Sequence, residues 1–256
     1  MVLALQRYFV PVTNWKTDVV YITGDDVHHI SRVMRLQDGD QIICNHPEGK
    51  AATCEIISLT KDSVQATIIE WLNESVELPI DVTIAQGLPK SDKLDYVLQK
   101  GTELGAAAFI PFKAERSVVV WDAKKMEKKL NRYTKIVKEA SEQSHRTKIP
   151  QIMPVLTVAG LIEEAANYDV LLFAYEEEAK REDHQSFGTI LNKLRKDQRI
   201  LVCIGPEGGF SQGEVNQLKE NKFLPVRLGP RILRTETAPL YVLASISYHF
   251  EELRWV

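Results

Sequence analysis

The stretch RILVCIGPEGGFSQGE, Arg199–Glu214, decides the fold of this chain. After Arg199, the five residues Ile200–Ile204 form an apolar run, and Arg199–Ile204 reads as a buried strand. A glycine-rich turn follows, Gly205-Pro206-Glu207-Gly208-Gly209-Phe210. Ser211, with Glu214 three residues later, then gives the capping-box pattern, in which each side chain satisfies a backbone donor of the other residue and a helix opens. Strand, turn and helix in this order belong to a parallel sheet with crossover connections. In such sheets ligands bind at the carboxyl ends of strands, and glycines let the backbone come close to them. The turn is not GxGxxG and lacks the Lys-Ser/Thr ending of a P-loop, so the usual dinucleotide and nucleoside-triphosphate readings fail. A tight turn without a ligand is the alternative.

Outward from this unit the same alternation continues. Strands are expected at Ile80–Gln86, Ala106–Phe112, Asp169–Ala174 and Leu224–Leu228. A helix from Ser91 to Leu104 buries Leu94, Val97, Leu98 and Leu104; Ser91 or Asp92 can cap its start, and Gly105 fits the position that ends it. Met126, Leu130, Tyr133, Val137 and Ala140 are spaced by four, three, four and three residues, one buried stripe of an amphipathic helix. Lys124, Lys125, Lys128, Lys129, Arg132, Lys135 and Lys138 fall largely off it. Glu176–Gln185 reads as a charged surface loop. The last helix, Pro239 to about Leu253, carries Leu240, Leu243, Ala244, Ile246, Ser247 and Phe250, enough to pack inward and against a second subunit.

A second turn of interest, Leu228-Gly229-Pro230-Arg231-Ile232-Leu233-Arg234-Thr235-Glu236-Thr237-Ala238-Pro239, also leads from a strand into a helix. Thr235 or Thr237 can cap that helix, and Pro239 suits its first turn. Arg234 and Glu236 are charges flanked by apolar sequence. Such groups need partners or a function, so a structural ion pair and an active-site pair are both open.

Residues 1–72 have a different texture. Short apolar runs at Val19–Ile22, Gln41–Cys44, Thr53–Leu59 and Val64–Trp71, separated in part by Asp38-Gly39 and Glu48-Gly49, suggest a small β-barrel. Asp25 or Asp26 can cap a helical piece that carries Val27, Ile30, Val33 and Met34. The polar stretch Asn73–Pro79 places a domain boundary after residue 72, giving domains 1–72 and 73–256.

Composition narrows the class. The 256 residues are 44% hydrophobic and 26% charged, ordinary for a globular chain. The net charge of -3 is unevenly spread. Residues 1–72 hold six basic and nine acidic residues, whereas 113–148 hold eleven basic and five acidic, a net of +6. That segment is a positive patch or a solvated helix face. Cys44, Cys54 and Cys203 sit in strand-like runs without CxxC spacing, which implies buried thiols in a reducing compartment. His28-His29 has no supporting ligands, so no metal is expected. No run suits a membrane span or a signal peptide, which points to the cytoplasm. A G-x-S-x-G nucleophile elbow is absent.

Four segments in order, QGLPKSDKLDYVLQKGTELG (86–105), EASEQSHR (139–146), IGPEGGFS (204–211) and LGPRILRTETAP (228–239), resemble the signature segments of the RsmE family, and HHISRVMRLQDGD (28–40) resembles its PUA-like domain. The family methylates N3 of a uridine in 16S ribosomal RNA with S-adenosyl-L-methionine. The resemblance implies an α/β fold: a SPOUT-type parallel sheet with a C-terminal trefoil knot, preceded by a PUA-like β-barrel that binds RNA. It implies a homodimer acting on small-subunit ribosomal RNA or the 30S subunit. The cofactor would be held by Phe173, Ala174, Tyr175, Gly205, Gly208, Gly209, Leu228, Gly229, Leu233, Arg234, Thr237 and Ala238. Arg234 and Glu236 are the candidate catalytic residues: Arg234 to stabilise charge on the uracil, Glu236 to take the proton or to orient Arg234. Arg7, Arg32, Arg35, Arg116, Arg132 and Arg146 are candidates for RNA contact. A non-catalytic ribosome assembly protein and a methyltransferase of this fold acting on another RNA or atom remain as rivals; an NAD-type oxidoreductase is a remote third.

Overall fold

The computed structural model describes residues 5–73, 76–119, 123–175 and 186–253, the side chains of 123–125 excepted. The charged loop expected at Glu176–Gln185 and the side chains of Lys124 and Lys125 lie outside the described residues. The chain divides into two compact units. One comprises Met1–Glu77 with Ser141–Ile149, the other Leu78–Ala140 with Pro150–Val256.

In the first unit, β1 (Arg7–Phe9), β2 (Val19–Thr23), β3 (Gln41–Asn45), β4 (Ala51–Leu59) and β5 (Ser63–Leu72) form a sheet in the order β1-β3-β4-β5-β2. β1 runs parallel to β3, and the remaining pairs are antiparallel. Inward residues Tyr8, Val20, Ile22, Ile42, Cys44, Cys54, Ile56 and Val64 build its core. The helical piece is short: α1 (Asp25–His28) continues as a π turn, His29–Val33. Its N-cap is Gly24 at φ +76°, not an aspartate. Val27 and Ile30 are buried, but Val33 and Met34 face solvent, because the π turn rotates them off the expected stripe.

The segment Ser141–Ile149 joins this unit through Glu77. Arg146 donates to Glu77 Oε2 from Nε at 3.0 Å and from Nη2 at 2.5 Å. Glu77 Oε1 accepts from the Thr147 and Lys148 amides at 2.9 and 3.0 Å. Asn45 Nδ2 donates to the Arg146 carbonyl at 2.9 Å. The expected boundary after residue 72 differs from this division because Glu77 is committed to a sequence-distant partner.

The second unit contains β6 (Asp81–Gly87), α2 (Lys93–Glu103), β7 (Ala108–Lys113), α3 (Ala123–Gln143), β8 (Gln151–Ile152), β9 (Leu156–Thr157), α4 (Val158–Glu164), β10 (Val170–Ala174), α5 (Phe187–Leu191), β11 (Arg199–Ile204), α6 (Gln212–Glu220), β12 (Leu224–Val226) and α7 (Ala238–Ser247). The last turn of α3 belongs to the first unit. Strand order is β12-β10-β11-β6-β7-β8, with β9 also on β7, and all these pairs are parallel. Parallel strands are covered on both faces, so successive residues must both be apolar. Val82, Ile84, Ile200, Val202 and Ile204 pack on one face with Leu98 and Leu243. Ala85, Leu201, Cys203 and Phe173 pack on the other with Val215 and Leu218.

Helix ends follow local chemistry unevenly. Ser211 and Glu214 form the full capping box on α6. α2 ends in a Schellman turn: Gly105 lies at φ +90°, its amide reaches Thr102 O, and the Ala106 amide reaches Gly101 O, both at 3.0 Å. Its start departs from expectation, since Asp92 is the N-cap but makes no side-chain cap bond, and Ser91 sits at φ +56°. Thr237 caps α7 only through its backbone position. α7 gives way to a π turn at Tyr248–Glu252 rather than running on to Leu253. In α3, Tyr133, Val137 and Ala140 are buried as the stripe requires.

Candidate active site

Because β10, β11 and β12 are parallel neighbours, their carboxyl ends lie along one sheet edge. That edge carries Phe173–Tyr175, the 205–209 turn and the 228–238 turn. The 205–209 turn closes on itself through the Gly209 amide and the Pro206 carbonyl at 2.8 Å, with Gly209 at φ +65°. A Cβ on Gly209 would meet nothing within 4 Å, so this backbone borders open space. A Cβ on Gly205 would instead sit 3.2 Å from the Gly209 Cα. The strand end of β6 is tighter still. A Cβ on Gly87 would come within 2.6 Å of the Pro206 nitrogen, so a side chain there would displace the turn.

Three further contacts fix the turn. Arg116 Nη1 donates to the Gly208 carbonyl at 3.1 Å. Glu214 accepts from the Ser211 amide through one oxygen and from the Glu115 amide through the other, both at 2.8 Å. Gln86, 1% exposed, donates from Nε2 to Thr235 Oγ1 at 2.8 Å, and Thr235 donates onward to the Gly205 carbonyl at 2.6 Å. This polar chain binds the end of β6, the 205–209 turn and the 228–238 turn together. Thr235, expected as a possible cap, is spent on it. Gln86 Oε1 is buried without a hydrogen-bond partner. A buried acceptor in that state favours a ligand that brings a donor.

At the start of α2, Lys93 Nζ lies 3.0 Å from Glu207 Oε1 and 3.2 Å from Glu236 Oε2. The second contact is close enough for charge attraction but lies off the hydrogen-bond direction. Glu207 Oε1 also accepts from the Lys90 amide at 3.2 Å. Partial burial pushes the Glu207 carboxyl up, but the backbone amides and Lys93 outweigh it and hold it below its ordinary range. The Lys93 ammonium is pushed up, first by Glu207. Arg234 is exposed on the 228–238 turn, with no side-chain partner among the described residues.

The edge thus offers open backbone, a buried unsatisfied acceptor, two paired carboxylates and an exposed guanidinium. A family model described as an RNA methyltransferase domain matches residues 76–247, and one described as an RNA methyltransferase PUA domain matches 22–69. Ribosomal RNA small subunit methyltransferase E of Bacillus subtilis (strain 168) is 50% identical over 98% of this chain and 99% of its own length. The protein of that name from Synechocystis is 34% identical over 89% of this chain and 72% of its own. The chain belongs to the ribosomal RNA small subunit methyltransferase E family. A solved member from Neisseria gonorrhoeae, bound to S-adenosyl methionine, superposes with a TM-score of 0.83 at 30% identity, covering 95% of this chain and 97% of that one.

Among the residues expected to serve such a methyltransferase, the structure brings most together and removes others. Gly205, Gly208, Gly209, Leu228, Gly229, Leu233, Thr237 and Ala238 lie on the two turns. Ala174 and Tyr175 close β10. Phe173 is fully buried and packs edge-on against Phe210 at 5.8 Å, so only its backbone can meet a ligand. Glu236 pairs with Lys93 rather than Arg234, so an orienting role toward Arg234 is absent from this arrangement.

Arg7 and Arg146 are corrections to the expected RNA contacts. They are 4% and 5% exposed, with Arg7 donating to Asn45 and Arg146 held by Glu77. Arg32, Arg35 and Arg116 are exposed. Arg132 is half exposed and paired with Asp95. His29 bonds Tyr8 through Nδ1 at 3.0 Å, which accounts for one of the paired histidines. The three cysteines are buried and free, and burial pushes the Cys203 thiol far up. Among the described residues no helix is long and apolar enough to cross a membrane. Gln86, Gly87, Lys93 and Glu207 belong to the site but were not singled out by local pattern.

Proposed function

We propose that this protein transfers a methyl group to N3 of a uridine in small-subunit ribosomal RNA, as a cytoplasmic homodimer, with S-adenosyl-L-methionine as donor. The observation that carries the reading is the near-complete match to the family combined with the open, glycine-bordered sheet edge that meets Arg234 and Glu236. The residues fit the cofactor: Gly209 leaves its flank open, Gln86 Oε1 needs a donor, and the two turns supply backbone groups. The cofactor, when bound, supplies an electrophilic methyl group.

The chain's own residues then have three tasks. The 205–209 and 228–238 turns bind and orient, and orientation is the largest contribution expected of such a site, about 7–11 kcal/mol at best. Arg234, exposed and with no side-chain partner among the described residues, neutralises charge that develops on the uracil oxygens. Glu236, partly exposed at this edge, accepts the N3 proton. The target base must leave any stacked arrangement to reach them.

Arg32, Arg35, Arg116 and Arg132 are proposed to meet RNA phosphates, which gives binding that weakens as salt rises. The dimer reading rests on the exposed Tyr241, Ala244 and Tyr248, spaced by three and four residues along α7 and its π turn, and on Ile232, 81% exposed. A trefoil crossing at the Gln86–Thr235–Gly205 chain is part of the same proposal. The test is incubation of small ribosomal subunits lacking the modification with enzyme and cofactor, followed by mass analysis of nucleosides. N3-methyluridine is the expected product. A different methylated nucleoside, or none with cofactor bound, overturns the assignment.

A further inference from the structure

We propose that Lys93 is the positioning residue of this site, whose ammonium clamps the 205–209 turn to the 228–238 turn. This rests on the cofactor reading above. Two carboxylates from segments far apart in sequence, Glu207 and Glu236, converge on one cation supplied by a third, the start of α2. Each carboxylate sits on a turn that borders the ligand space. Both oxygens contact the same Nζ, so they lie within about 6 Å of each other, and only the cation makes that approach favourable. Lys93 is partly exposed, but its ammonium is already paired with both carboxylates. Its charge is engaged by those carboxylates, so its effect passes through the turns it joins.

The neighbouring contacts show why a clamp is needed there. The Gln86–Thr235–Gly205 chain ties the two turns at the sheet end, and Lys93 ties them at a second point through side chains. One tie leaves a pivot; two fix an angle. Removing the ammonium leaves two carboxylates without their shared cation, and their repulsion pushes the turns apart around the remaining tie.

The experiment is calorimetric titration of the full-length protein with S-adenosyl-L-methionine. It compares wild type, Lys93→Met, Lys93→Arg and the double variant Lys93→Met/Glu207→Gln, each with a thermal melt. Lys93→Met is expected to weaken binding roughly ten- to a hundredfold, the span seen for coupling within one charge network. Its melting temperature should move by no more than about 2–4 °C, since the pair is partly exposed. Lys93→Arg should restore most of the affinity. The double variant should bind more tightly than Lys93→Met alone, because the repulsion is gone; loss of mere packing would not produce that reversal. In steady state the loss should fall mainly on KM for the cofactor. Unchanged affinity in Lys93→Met, or a double variant weaker than the single, overturns the clamp. A wild type that fails to bind the cofactor overturns the reading beneath it, and the two failures are thereby told apart. Should Lys93→Met not fold, Lys93→Arg against Glu207→Gln alone decides: the first near wild type and the second weakened supports the clamp, and any other pattern overturns it.

Discussion

Replacing Gly87 by alanine tests the close crossing on which the site depends. The added Cβ would come within 2.6 Å of the Pro206 nitrogen and Cδ and 3.0 Å of the Gly205 carbonyl carbon. Ordinary contact is about 3.5–4.0 Å, so the turn must retreat by about 1 Å. Nothing flexible absorbs this, because the obstacle is backbone and a proline ring. A misplacement of about 1 Å at a binding turn costs on the order of a hundredfold in catalysis, near 2.7 kcal/mol. Overpacking adds about 1–3 kcal/mol of lost stability. Gly101→Ala is the control: its Cβ would meet the Phe109 ring at 2.8 Å, in the core and away from the ligand edge. Both variants should melt earlier, but only Gly87→Ala should lose cofactor affinity and turnover. Calorimetry, melting curves and a methyl-transfer assay read this out. A Gly87→Ala protein with wild-type affinity and turnover would refute the claim that this crossing sets the site geometry.

Other residues separate just as cleanly. Arg234→Ala should lower turnover by about 10²–10³ with cofactor affinity and melting temperature nearly unchanged, because the side chain is exposed and has no partner among the described residues; unchanged turnover removes its role. Arg146→Ala should destabilise the first unit by roughly 3–5 kcal/mol, since it strands the Glu77 carboxylate, and denaturant melts check it; a wild-type melt with weakened RNA binding would reverse the structural assignment. Cofactor affinity should be flat across neutral pH. Glu207, held below its ordinary 4.5, contributes above that value and is lost as pH falls through its depressed one; Lys93, raised above 10.5, contributes below that value and is lost as pH rises through its raised one. A steep titration between about pH 6 and 9 would contradict this pairing.

Local rules were legible where the interaction they describe is local. Arg199–Ile204 is a strand over the residues read as one, and Ser211 with Glu214 caps α6, because both partners of that box lie in four residues. The three-residue β1 was missed, since nothing periodic shows in Arg7–Phe9 and its register comes from β3. Gln86, Gly87, Lys93 and Glu207 escaped for the same reason at longer range. Their partners lie on other turns, and Thr235 is 149 residues from Gln86. A glycine directly at a strand end was the one available signal at Gly87. The rotated Val33 and Met34 show the opposite limit, where a clear helical stripe met a π turn that the pattern does not encode.

The arginines show what sequence charge cannot separate. Arg7, Arg146 and Arg234 are the same chemistry in the sequence, and a local charge count favours Arg146, in the basic 113–148 segment, which the fold buries. What distinguishes them is whether the fold has already satisfied the guanidinium. Arg146 faces a carboxylate that also accepts two amides, so its charge is neutralised and buried, and displacing it would strand Glu77. Arg234 is left exposed on the 228–238 turn, where Thr235 and Glu236 are already engaged, so its hydrogen-bonding capacity is open to a substrate. Lys93 occupies the middle case: it is satisfied, but by carboxylates of two separate turns, so its charge is spent on geometry. A site that transfers a group between two ligands needs both kinds of cation, one that is free to meet developing charge and one that holds the turns around it in place.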